Sequence, residues 1–119
     1  SGGGGVRVLV CGGRSYMDTE TCFAVLDGLH MHSPITCVVH GAASGADMMG
    51  ERWAYQRRIP SEAHIAKWKE HGRKAGPLRN AEMLRSGVDM VVAFPGGRGT
   101  ADMIRRAKTA GVPVVEVAA

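Results

Sequence analysis

Short apolar runs alternate with amphipathic stretches along nearly the whole chain. VRVLVC (6–11), ITCVVH (35–40), DMVVAF (89–94) and VPVVEV (112–117) are rich in β-branched residues and too short for helices, so each predicts a buried strand. SEAHIA (61–66) predicts a weaker one. Between them the period changes. Cys22, Val25, Leu26 and Leu29 fall at the i, i+3, i+4, i+7 spacing of a helix that Asp18 or Thr19 can cap and Ser33-Pro34 stops. Ala46, Met49, Gly50, Trp53 and Ala54 form the apolar face of a second helix, ended by Ile59-Pro60. Gly72, Gly76 and Pro77 predict an irregular loop over 67–77, followed by a short helix over 78–86. A last helix is expected over 100–110.

Strands alternating with helices through short connections predict an α/β fold with three layers. The expected core is a Rossmann-like, five-stranded parallel sheet in the order 3-2-1-4-5. That order places a topological switch point between the first and fourth strands, and ligands bind there, beyond the carboxyl ends of the strands. Three glycine-rich loops leave neighbouring strands at this rim: CGGRSY (11–16), HGAASGAD (40–47) and PGGRGT (95–100). Glycine lets backbone N–H groups face a ligand closely, and a helix beginning just afterwards adds its unpaired N–H groups and dipole. Pro95, Gly96, Gly97, Gly99 and Thr100 are one expected phosphate seat; Gly41, Ser44 and Gly45 are a second. Gly12 and Gly13 complete the rim, with Arg14 and Arg98 adding charge. Neither GxxxxGK[ST] nor a GxGxxG after the first strand is present, which argues against a Walker P-loop and against ordinary NAD(P) use.

With 119 residues the chain holds one domain, residues 6–119, and the patternless residues 1–5 read as a linker or expression scar. No apolar run approaches the ~20 residues that span a bilayer, so a soluble, cytoplasmic protein without a membrane partner is expected. The three cysteines form no CxxC pair, and Cys11 and Cys37 read as reduced core residues. Five scattered histidines offer no zinc spacing; neither a metal nor a cofactor is expected. Between Lys67 and Arg85 six basic residues face two acidic ones, an excess equal to the whole formal charge of +4. Such a patch suits an anionic ligand or serves as a solvated face.

Asp47, in the first turn of its helix, suits either the helix dipole or ribose hydroxyls. Arg79-Asn80 opens the short helix, where an arginine opposes the dipole unless an anion relieves the conflict, so both are expected at the ligand. Trp68 reads as an anchor to the core, with base stacking as the alternative.

CGGR, HGAASGAD, W-K-x-H-G-x-x-A-G-P-x-R-N (68–80) and FPGGRGTADM, in this order, resemble the YspA/cpYpsA-related branch of the SLOG superfamily. The resemblance implies a Rossmann-like domain that binds nucleotides or their derivatives. Its LOG-type relatives cleave the N-glycosidic bond of nucleoside monophosphates with a PGGxGTxxE loop and an upstream arginine. Matched position by position, that arginine is Arg79 and the phosphate loop is Gly96, Gly97, Gly99 and Thr100, but the glutamate falls on Met103. A thioether can neither activate water nor stabilise oxocarbenium-like charge. The leading expectation is therefore a nucleotide-binding sensor or recognition domain. The alternative is a hydrolase with a replaced acid, whose candidate catalytic residues are Asp47, Arg79 and Asp102, with Glu51 nearby. Single-stranded nucleic acid is a further alternative partner, suited by a pI near 9.3. Resemblance to the LOG-type dimers points to a homodimer.

Overall fold

The computed structural model describes residues 5–119; residues 1–4 of the expected linker lie outside the described residues. Strands β1 (Val6–Cys11), β2 (Ile35–His40), β3 (Ser61–Ala63), β4 (Met90–Ala93) and β5 (Val114–Glu116) form one parallel sheet in the order β3-β2-β1-β4-β5. The helices are α1 (Thr19–His32), α2 (Ala46–Gln56), α3 (Trp68–His71), α4 (Ala75–Arg85) and α5 (Arg98–Thr109).

Side chains alternate across the sheet with period two, and both faces are covered. Val8, Val10, Val38 and Val92 pack against Cys22 and Leu26 of α1 and Ala46, Met49 and Trp53 of α2. Leu9, Cys11, Val39, Val91 and Ala93 face Met83 of α4 and Met103 and Ala107 of α5. The run of apolar residues in each strand is thus the signature of burial on two sides. Cys22 is fully buried, whereas Cys37, expected in the core, is only partly so. The period-two register turns Cys37 toward the margin of the α4/α5 side, beside Arg7 and Glu62.

Asp18 caps α1: its Oδ1 accepts from the Thr21 N–H at 3.0 Å. Helix α2 stops before the proline that was expected to end it. Arg58 adopts φ 57, the Ile59 N–H reaches Ala54 O at 2.8 Å, and the Arg58 N–H reaches Tyr55 O, a Schellman closure that ends the helix at Gln56. Strand β3 pairs over only three residues, because β2 ends at His40 and leaves 64–66 without a ladder beyond the His64 N–H to His40 O bond.

The largest departure lies at 67–77. This segment is helical: α3, a 3₁₀ turn over Gly72–Lys74, then α4, which starts at Ala75 rather than Leu78. Pro77 is the third residue of α4, where its missing N–H is one the helix would leave unpaired anyway. Gly72, at φ 55, closes α3.

Helix α4 is tied to the end of β3 through His64. Its Nδ1 donates to Glu82 of α4 and its Nε2 to Glu62, both at 2.6 Å. Two carboxylates can be served at once only by the doubly protonated ring. Burial pulls the His64 pKa down, but the hydrogen bonds and charges of Glu62 and Glu82 more than reverse this, leaving it above 6.5. The native state therefore holds this proton more tightly than the unfolded chain. Its stabilisation is fully present below the ordinary histidine range and is lost as pH rises through the raised value. Thermal melts across the neutral range should show that decline, and His64→Gln should flatten it; an equal slope in both proteins would assign the effect elsewhere.

Candidate functional site

The glycine loops after β1, β2 and β4 are bonded to one another. The Gly13 N–H donates to Pro95 O at 2.8 Å, the Ala46 N–H donates to Gly13 O at 3.2 Å, and the Ser44 hydroxyl donates to Arg14 O at 3.1 Å. Together with α4 they enclose a cavity of about 550 Å³ at the carboxyl end of the sheet, within the size range of small-ligand sites. Gly12, Gly13, Arg14, Asp47, Arg79, Asn80, Gly97, Arg98, Gly99, Thr100 and Asp102, all singled out from the sequence, line it. Gly41, Ser44, Gly45, Pro95 and Gly96 stand behind this wall and shape the loops. Gly45 lines a shallower cavity of about 350 Å³, shared with Arg14, Met48 and Arg52.

Arg79 holds the cavity's inner side. Its Nη1 donates to Gly41 O at 2.7 Å and its Nε to Asn80 Oδ1 at 3.2 Å. A Cβ at position 41 would collide with this guanidinium, so Gly41 is what lets it approach the β2–α2 loop. The reason given above for Arg79, an arginine opposing the dipole at a helix start, is overturned. Because α4 begins at Ala75, Arg79 lies beyond its first turn, and the reach to Gly41 places it at the cavity instead.

Asp47 is 5% exposed, and its Oδ2 accepts the Gly41 and Ala43 N–H groups at 3.0 and 3.2 Å. Burial raises its pKa above the ordinary 3.8, against the lowering effect of those N–H groups and of Arg79. Its Oδ1 takes no hydrogen bond from the described residues. Asp102 is committed differently. Asn80 donates to its Oδ2 at 3.0 Å, Arg106 donates to the same oxygen at 2.8 Å, and Arg105 donates to Oδ1 at 2.7 Å. Asn80, 4% exposed, also donates to Gly99 O at 3.2 Å and so fixes the first turn of α5 against α4. Met103, where LOG-type loops have their glutamate, is fully buried under the sheet. Glu51 lies outside the cavity lining and accepts from His40 Nε2 at 2.6 Å. The Cys11 thiol lines the cavity, but burial above all, with the Asp47 charge, pushes it up to about 12, so it is no nucleophile.

Further cavity residues escaped the sequence reading, among them Cys11, Gly76, Pro77 and Met83 as well as Arg73 and Ala43. Arg73 was counted only as part of the basic segment, and Ala43 only as spacing; both line the wall. Trp68 corrects its expected role as a core anchor. It is 49% exposed at the cavity mouth, because α3 is a single surface turn that never reaches the sheet. Tyr16 does pack inward, stacked on Phe94 with ring centroids 5.3 Å apart.

Of the four arginines around the cavity, Arg14, Arg73, Arg79 and Arg98, none is paired to a carboxylate among the described residues. Asp102 is paired with Arg105 and Arg106, whereas Asp47, the other acid of the cavity wall, is countered by the Arg79 charge without a salt bridge. The arrangement carries excess positive charge beside the first turn of α5, a setting that receives anions.

Residues 6–71 match the family model described as YAcAr: YspA, cpYpsA-related SLOG family. The matched span ends before Arg79 and the 95–100 loop. The chain is also 45% identical over 117 residues to the Gene 61 protein of Mycobacterium phage D29, covering 92% of this chain and 94% of that protein. Among solved structures, DNA processing protein A (DprA) from Streptococcus pneumoniae is similar with a TM-score of 0.53 at 18% identity, over 93% of this chain. The chain spans 58% of that structure's length, and the likeness is one of fold.

Proposed function

Because the chain belongs to the YspA, cpYpsA-related SLOG family, we propose that it binds a nucleotide or nucleotide derivative in the cavity at the switch point, as a ligand-recognition domain. The observation that carries this reading is the gathering of four arginines without carboxylate partners around one enclosed space. A phosphate is received by the first turn of α5, at Gly97, Gly99 and Thr100, with Arg98 and Arg79 as charged donors. Asp47 Oδ1, free of donors among the described residues, accepts from a ribose hydroxyl. The arginines surround a pocket instead of forming a stripe across the surface, which favours one nucleotide over an extended nucleic-acid strand.

One observation favours hydrolysis as a second reading: Asp47 is a buried cavity carboxyl whose pKa burial raises, the direction a general acid or base needs. Calorimetric titration with AMP, NAD and ADP-ribose, together with product analysis for the wild type, Asp47→Ala and Asp102→Ala, decides between them. Saturable binding without turnover supports recognition, and turnover lost in Asp47→Ala supports hydrolysis. If none of the three compounds binds, the nucleotide reading fails.

A further inference from the structure

The two tryptophans have opposite standing. Trp53 is fully buried, and its indole N–H donates to Asp27 Oδ1 at 2.9 Å. Trp68 is half exposed, and its indole N–H meets no acceptor among the described residues. Leaving a large aromatic surface in water forfeits burial that tryptophan ordinarily gains. Yet the ring is held in place. A Cβ at Gly76 would touch its Cη2 at 3.4 Å, so the ring rests close to the backbone of α4. The Arg14 guanidinium lies 5.5 Å from the ring centroid. Trp68, Gly76, Pro77 and Arg14 all line the same cavity as the arginines and the first turn of α5.

An indole fixed at the mouth of an anion-binding cavity, with its face covered only by a cation, is a stacking platform for a flat ring. We propose that Trp68 is the base-stacking residue of this site and receives a purine, whose two fused rings match the indole face better than one ring does. The proposal rests on the nucleotide reading above. Two aromatic layers at about 3.5 Å each need about 7 Å between Trp68 and whatever covers it, and the guanidinium stands at 5.5 Å. Arg14 therefore leaves the ring face as the base arrives. It belongs to the β1–α1 loop beside Gly13, on the cavity wall, and is then free to donate to the ligand's phosphate.

The test compares AMP, CMP and ribose 5-phosphate, by calorimetry and by quenching of tryptophan emission, in the wild type, W68F and W68A. AMP is expected to bind the wild type roughly tenfold or more tightly than ribose 5-phosphate, with CMP between them. W68A should bring the AMP to ribose 5-phosphate ratio close to one. W68F should keep most of the preference, which guards against a variant that merely fails to fold. If AMP is preferred and W68A leaves the ratio intact, the stacking assignment is overturned and the nucleotide reading stands. Equal binding of AMP and ribose 5-phosphate to the wild type also overturns it. If neither AMP nor ribose 5-phosphate binds, the stacking assignment is overturned, and the nucleotide reading is decided by NAD and ADP-ribose.

Discussion

Replacing Arg79 with methionine is expected to lower affinity for AMP by about 100-fold or more, while the protein stays folded. The guanidinium is the most enclosed of the four cavity cations, and its two known bonds, to Gly41 O and Asn80 Oδ1, hold it in one orientation. A preorganised arginine gives a phosphate short charge-assisted bonds worth roughly 1.5–3 kcal/mol each. Its loss also removes the charge that counters Asp47. Since Arg79 lowers the Asp47 pKa, the variant raises that pKa further. Methionine keeps an unbranched apolar stem, so the stability cost is confined mainly to the unpaired Gly41 carbonyl, about 1 kcal/mol. Arg79→Lys should fall between, keeping the charge without the planar fork. Calorimetry read alongside melting temperature checks the claim, and wild-type affinity in a folded Arg79→Met protein would remove Arg79 from the site.

Gly45→Ala is expected to cost about 3 kcal/mol of stability or more, whereas Gly28→Ala should stabilise by roughly 0.5–1 kcal/mol. Gly45 caps α2 at φ 76, where a side chain is strained, and its Cβ would collide with Gly13 O and stand 2.6 Å from the Arg14 carbonyl carbon. Those are backbone atoms of the β1–α1 loop, so relief requires moving the loop that carries Gly13 and Arg14 into the cavity. Gly28 lies inside α1 with nothing within 4 Å of its Cβ position, and alanine there only gains helix propensity. Denaturant unfolding measures both. A Gly45→Ala protein as stable as the wild type would show that the loops are not locked as described.

Sequence patterning located what depends on local periodicity. The five strands and the two-sided burial of the sheet are legible because β-branched runs and i, i+3, i+4 spacings record which faces are covered, whereas the α1 cap was narrowed only to Asp18 or Thr19. The order β3-β2-β1-β4-β5 follows from right-handed crossovers, and the shared rim of the three glycine loops follows from that order. Met103 could be assigned to the core from its stripe with Ile104 and Ala107.

What remained belonged to tertiary context. Gly72, Gly76 and Pro77 read as breakers because propensity is averaged over surroundings. In place, one glycine closes α3, one lies beside Trp68, and the proline occupies a first helical turn that needs no N–H. Schellman closure at Arg58 could not be foreseen, since nothing in an arginine marks a left-handed backbone. Asp47, Asp102 and Glu51 looked interchangeable as acids. Only partners distinguish them: Asp102 is held by two arginines, Glu51 by His40, and Asp47 by backbone N–H groups with one oxygen left over. The sequence by itself determined the sheet, its order and the rim where the three glycine loops meet, because these follow from short-range patterning and chain handedness. Which side chains are available at that place was decided by the tertiary structure alone, since hydrogen-bond partners and burial arise between segments far apart in the chain.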